Sequence, residues 1–196
     1  IYNGANLKDR ALEVYRYALA LTANAETKAS IFKNIAEISI DLKDDKGQLA
    51  AWKDCSQLDS SMRAECHSKI GDMYLKLSDW DQAKAAYLKA IALKKGKGVG
   101  SPYISYSQFR YAQILEGSMK KEPLQFPTER LLAAFQKRVQ ELKPVTDAFQ
   151  VAIEWGGPWG IAATERVGDF AIELANEVQR IMQDKQATTQ LRDALM

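Results

Sequence analysis

Apolar residues recur at i, i+3, i+4 and i+7 along five stretches of the first half: residues 7–21, 31–42, 49–58, 70–77 and 83–93. That spacing is the period of a helix with one buried face. Short polar turns at 24–27, 43–47, 59–61 and 78–79 separate the stretches, and turns so short force neighbouring helices antiparallel. Asp45 with Gln48, and Asp79 with Gln82, have capping-box spacing with Asp at the N-cap. Alternating β-branched runs bounded by turns are essentially missing, so the expected class is all-α.

The second half departs from this rhythm. A glycine- and lysine-rich loop spans 94–102, and Pro102 opens the next helix, at 103–116. After a second loop at 117–127, a long amphipathic stretch covers 128–155. Pro144 predicts a kink or break near Lys143, because proline removes a backbone donor and crowds the preceding turn. The sequence Trp155-Gly156-Gly157-Pro158-Trp159 reads as a turn, stapled by its two tryptophans, with Pro158 restarting a helix.

Between residues 61 and 95, Ile70-Gly71-x-x-Tyr74, Leu77 and Trp80 precede Ala83-x-x-x-Tyr87-x-x-Ala90. This resembles the tetratricopeptide repeat of about 34 residues, whose small residues let two helices cross closely beside aromatics. In that pattern Gly71 is the small residue of helix A, Tyr74 its aromatic, Ala83 and Ala90 the small residues of helix B, and Tyr87 its aromatic. The family's upstream Trp is absent, with His67 in its place, and Lys95 replaces the closing Pro.

Weaker echoes divide the rest. Ala11-x-x-x-Tyr15-x-x-Ala18, within 1–23, reads as a helix B without its helix A, and 26–59 as a repeat in which Gln48 takes the small helix-B place. Residues 102–156 form an extended repeat with an inserted loop and long helix. Within 158–196, the run from Arg166 to Leu174 mirrors Lys69 to Leu77, including Gly168 for Gly71, and reads as a final helix A. The resemblance implies a single domain, a right-handed superhelical solenoid of antiparallel helix pairs. The order of the C-terminal half is similar to tetratricopeptide proteins of the envelope and gliding machinery of delta-proteobacteria. With Ile1 at one end and a helix-compatible run at the other, the chain reads as a piece of a longer array.

Composition narrows the function. The balance of 27 basic and 25 acidic side chains in 196 residues gives a net charge of +2, without the basic stripe that nucleic acid demands. No apolar run approaches the roughly 20 residues of a membrane helix, so no membrane insertion by this segment is expected. Cys55 and Cys66 stand on facing helices across the 59–61 turn. They read either as two small buried hydrophobes or as one disulfide in an oxidising compartment.

Residues that carry chemistry are scarce. The lone His67 lies beside Cys66 without a ligand at i+4, and adjacent helical residues point to different faces, which excludes a zinc pair and a Cys-His nucleophile. The Gly96-x-Gly98-x-Gly100 loop follows no strand, so it fails the context of a phosphate loop. The acid pairs Asp44/Asp45 and Asp79/Asp81 sit at helix N-termini, where the macrodipole already favours them. Trp52 and Trp80 read as packing residues. No enzyme, metal or cofactor is expected.

The resemblance instead implies a scaffold that holds a protein or peptide on its inner, helix-A wall. By repeat position that wall carries Lys33, Glu37, Ser68, Asp72, Phe109, Gln113, Glu165 and Asp169. The acids Glu37, Asp72 and Asp169 recur one place after the small residue and would suit a basic or amide-rich peptide. A passive spacer within a longer array is the alternative. Self-association through exposed repeat ends, and a periplasmic, envelope-associated or cytoplasmic location, stay open.

Overall fold

The computed structural model describes residues 4–94, 101–119 and 128–183, and every regular element among them is an α-helix. The glycine loop at 96–100, most of the second loop and the tail beyond residue 183 lie outside the described residues. Where the sequence reads as one array, the chain groups into two compact units, Ile1–Ser107 and Gln108–Met196.

The first unit holds α1 (Gly4–Leu21), α2 (Ala25–Asp41), α3 (Asp45–Ser56), α4 (Arg63–Lys76), α5 (Trp80–Ile91) and the opening turns of α6 (Pro102–Ser118). α2 packs on α3 and α4 on α5 as hairpins, α3 joins them by packing on α4, and α1 packs on α2. The two hairpin turns are built alike. Leu42 and Leu77 close their helices, Lys43 (φ 58°) and Ser78 (φ 59°) turn left-handed, and an Asp caps the next helix. Asp79 accepts from Gln82 N at 3.1 Å, as the capping box predicts. The cap of α3 is Asp44, not Asp45. Its carboxylate accepts from Gly47 N at 2.9 Å because the left-handed residue falls at Lys43 and sets the cap one place later.

Small residues place the helix crossing. A Cβ on Gly71 would lie 2.6 Å from the Tyr87 ring, so this glycine admits the aromatic of helix B. Around that crossing Ala29, Ala36, Ala51, Trp52, Cys55, Cys66, Ile70, Met73 and Ala86 form one core. The Cys55 and Cys66 sulfurs are bonded across the α3–α4 turn, with their Cα atoms 5.9 Å apart. Trp52 is buried as expected, but Trp80 is 57% exposed. As the first residue of α5, directly after its cap, it precedes the turns that meet α4.

The second unit packs the rest of α6 with α7 (Thr128–Trp155) and α8 (Gly157–Gln183) around Phe109, Ala112, Val145, Phe149, Ala152, Ala163 and Phe170. Of the kink or break expected at Pro144, the break does not occur, since α7 continues through it. Gln140, whose carbonyl loses its helical donor at Pro144, and Pro144 itself are both exposed residues. Gly156 and Gly157, at φ 72° and 70°, make the left-handed turn into α8. Close approach of α8 to α7 falls at Gly160, where a Cβ would meet Ala152 O at 3.1 Å. Gly168 is exposed, with nothing within 4 Å of its Cβ position.

Candidate protein-interaction surface

The first unit carries a polar ladder across its A helices. α2 starts from Asn24, whose side chain accepts from Thr27 N at 2.9 Å, and this cap precedes Lys33 by about two turns. Lys33 Nζ meets Glu65 Oε1 at 2.9 Å, and Tyr103 Oη donates to the same oxygen at 2.9 Å. Seven residues along the same face of α4, Asp72 Oδ1 accepts from Tyr87 Oη and from Tyr106 Oη, each at 2.6 Å. Between these rungs the Ser68 hydroxyl lies 2.6 Å from Ser107 Oγ and 3.0 Å from Tyr103 O. Lys69 stands 5.9 Å above the Tyr103 ring and 3.9 Å from Asp72.

Charge-assisted bonds of this kind are about twice as strong as neutral ones, and here each acid serves two donors. The hydrogen bond to Glu65 raises the Lys33 pKa above its ordinary value. Burial, then the bond to Glu65, raises that of Tyr103. His67, on the same helix, is pushed down to about 4 by burial and then by the charges of Lys89 and Arg63. It is therefore a neutral core residue at pH 7. Among the described residues no group of His, Cys, Asp and Glu is placed to hold a metal ion, and no helix is long and apolar enough to cross a membrane.

The structure separates the eight residues expected on the inner wall. Lys33, Glu37, Ser68 and Asp72 belong to the first unit; Phe109, Gln113, Glu165 and Asp169 belong to the second. Ser68 is wholly buried beneath the ladder and presents nothing to a partner. Phe109 is a core residue, 5.6 Å from both Phe149 and Trp159 between ring centroids. Both fall where a third helix covers α4 or α6, which repeat position alone does not register. Asp72 is half-buried and occupied by two tyrosines, whereas Glu37 is exposed.

In the second unit Gln113 accepts from Arg110 at 2.8 Å, Glu165 is exposed, and Asp169 lies 3.3 Å from Arg166. Arg166 stacks 4.4 Å over Phe170, also pairs with Glu116 and Glu173, and is held more firmly protonated by them. The residues that sequence reasoning missed are Glu65, Tyr103, Tyr106 and Ser107. Their signal was present: acids at i and i+7 on α4 opposite tyrosines at i and i+3 on α6.

A pocket opens at the N-terminal end of α4, lined by Ser60, Arg63, Ser101 and Ile104 among others. Ser60 Oγ and Arg63 Nε are buried there without a hydrogen-bond partner. Large apolar side chains also meet solvent near the hairpin turns, at Ile40 (54%), Leu77 (54%) and Trp80 (57%).

No protein-family model matches the chain, and no curated protein does. Among solved structures the chain is similar to the crystal structure of MamA, at 14% identity over 90% of this chain and 93% of that one, with a TM-score of 0.44.

Proposed function

We propose that the chain is a protein-interaction scaffold, receiving an extended segment of another protein on the A-helix face of its first unit. The ladder carries this reading. It fixes α2, α4 and the start of α6 edge to edge through Lys33–Glu65–Tyr103 and Asp72–Tyr106. A surface ordered beforehand loses less conformational freedom when a partner binds. Because Glu65 and Asp72 are already engaged, the attraction for a basic or amide side chain centres on exposed Glu37. Trp80 and Leu77 offer an apolar contact of the kind that dominates binding energy when buried.

The bonded cysteines favour an oxidising compartment, in keeping with an envelope-associated assembly. Affinity capture with wild-type, Glu37→Lys and Trp80→Ala baits tests the scaffold reading. Asp72→Lys is unsuitable because it would place a cation among two tyrosine hydroxyls and Lys69. A specific partner lost with Glu37→Lys supports the A-helix face. Loss with Trp80→Ala alone moves the contact to the hairpin edge. No partner with any bait refutes the scaffold and favours a passive spacer.

A further inference from the structure

We propose that the pocket at the N-terminal end of α4 binds a small monocarboxylate, a single carboxylate group carried on a short aliphatic body. Two donors define its polar side. Arg63 N donates to Ser60 O at 3.2 Å, so these residues stand at the two ends of one turn leading into α4. Both line the pocket, and Arg63 Nε and Ser60 Oγ are buried without a hydrogen-bond partner. A buried donor left without an acceptor is costly, and native structures keep few of them. An arginine only donates and a serine hydroxyl can donate, so the pair calls for an acceptor. A carboxylate offers two acceptor oxygens and no donor, and its plane matches the guanidinium fork.

Among the described residues the neighbouring acids do not meet this need. Glu26 is taken by Ser61, whose N and Oγ donate to its two oxygens at 2.6 and 3.0 Å. Glu65 is taken by Lys33 and Tyr103. Asp59, exposed at the rim, leaves Arg63 Nε unpaired. The sequence from Leu93 to Ser101, two residues that both line the pocket, contains no acid at all. Met62 at the cap position of α4 makes no side-chain bond, so the positive end of that helix adds to the attraction for an anion.

The rest of the lining selects among anions. Ala64, Leu93 and Ile104 give the pocket an apolar wall, which a hydrocarbon body covers and inorganic phosphate does not. One arginine with Asp59 at the rim also suits a single negative charge better than a phosphate dianion. The ligand is therefore of the class of isovalerate, either as the free acid or as the leucine-like carboxyl end of another chain. Every lining residue belongs to the first unit, and none takes part in the Lys33–Glu65–Tyr103 and Asp72–Tyr106 ladder. This inference stands independently of the partner on the A-helix face.

Isothermal titration calorimetry on the full chain tests it, with isovalerate and N-acetylleucine as probes and isovaleramide and inorganic phosphate as comparators. The expected result is saturable binding of an acid probe, with the neutral amide and phosphate weaker by about tenfold or more. Tighter binding of isovalerate assigns a free acid, and tighter binding of N-acetylleucine assigns a chain end. Arg63→Gln, with the circular dichroism of the wild type, should weaken binding by about tenfold or more. Arg63→Lys keeps the charge but not the fork, so it should recover part of that loss and serves where the glutamine variant does not fold. Absence of saturable binding by both acids overturns the proposal. So does an amide or phosphate that binds as tightly as the acids, or binding that neither Arg63 variant weakens.

Discussion

Replacing Gly71 with alanine adds one methyl group at the tightest helix crossing of the first unit. In an open helix that change is favourable by about 1 kcal/mol, because glycine loses more backbone entropy. Here the new carbon would lie 2.6, 2.7 and 2.8 Å from three atoms of the Tyr87 ring. Ordinary carbon contacts are about 3.5–4.0 Å, so the ring or the helix must move by roughly 1 Å. Tyr87 has no room to yield, since it is wholly buried and its hydroxyl is held by Asp72 at 2.6 Å. Overpacking costs about 1–3 kcal/mol. At the upper end of that range, and less the helix gain of about 1 kcal/mol, the net loss is about 2 kcal/mol.

Gly168→Ala is the matched control. It sits in the same sequence context but meets nothing within 4 Å, so only the helix gain of about 1 kcal/mol remains. Thermal unfolding by far-ultraviolet circular dichroism, at dilute protein so that association does not contribute, reads both. For a unit of this size Gly71→Ala should lower the melting temperature by roughly 8–16 °C, and Gly168→Ala should raise it by a few degrees. A Gly71→Ala protein as stable as the wild type would refute the close crossing at Tyr87. A destabilised Gly168→Ala protein would refute the open face on α8.

The remaining predictions concern charge, the cysteines and the hairpin turns. His67 has a folded pKa of about 4 against 6.5 in the unfolded chain, so between these values the unfolded state binds the proton more readily. Stability is unaffected by this group above pH 6.5 and falls by about 3 kcal/mol as pH drops to 4, a slope that His67→Phe flattens in urea titrations. The Cys55–Cys66 bond closes a loop with a sequence separation of 11, and a Cys55→Ala/Cys66→Ala variant should lose about 3 kcal/mol by the chain-entropy relation. Two free thiols in non-reduced peptide mass spectra would contradict that bond. Lys43→Gly and Ser78→Gly relieve left-handed strain and should each raise the denaturation midpoint, by about 0.5–1 kcal/mol of stability.

Local chemistry along the chain determined the helical class, the hairpin boundaries and the best repeat. Apolar periodicity marks a buried face, and Asp79 caps α5 wherever the hairpin goes. Gly71, Ala83 and Tyr87 declare a close crossing because only small residues admit an aromatic there. Tertiary structure decided which copies of those signals are used. Gly71 and Gly168 share a motif, yet among the described residues only Gly71 has a helix across it, since a crossing needs a second helix that the motif does not contain. Repeat position put Ser68, Asp72 and Phe109 on an open wall. Coverage by α6, or by α7 and α8, made Ser68 and Phe109 interior and tied Asp72 to two tyrosines. Pro144 breaks a helix in isolation, but α7 runs on through it, with Val145, Ala148 and Phe149 in the core just beyond. A helical period specifies which residues share a face, and only the neighbours brought by folding determine what that face meets.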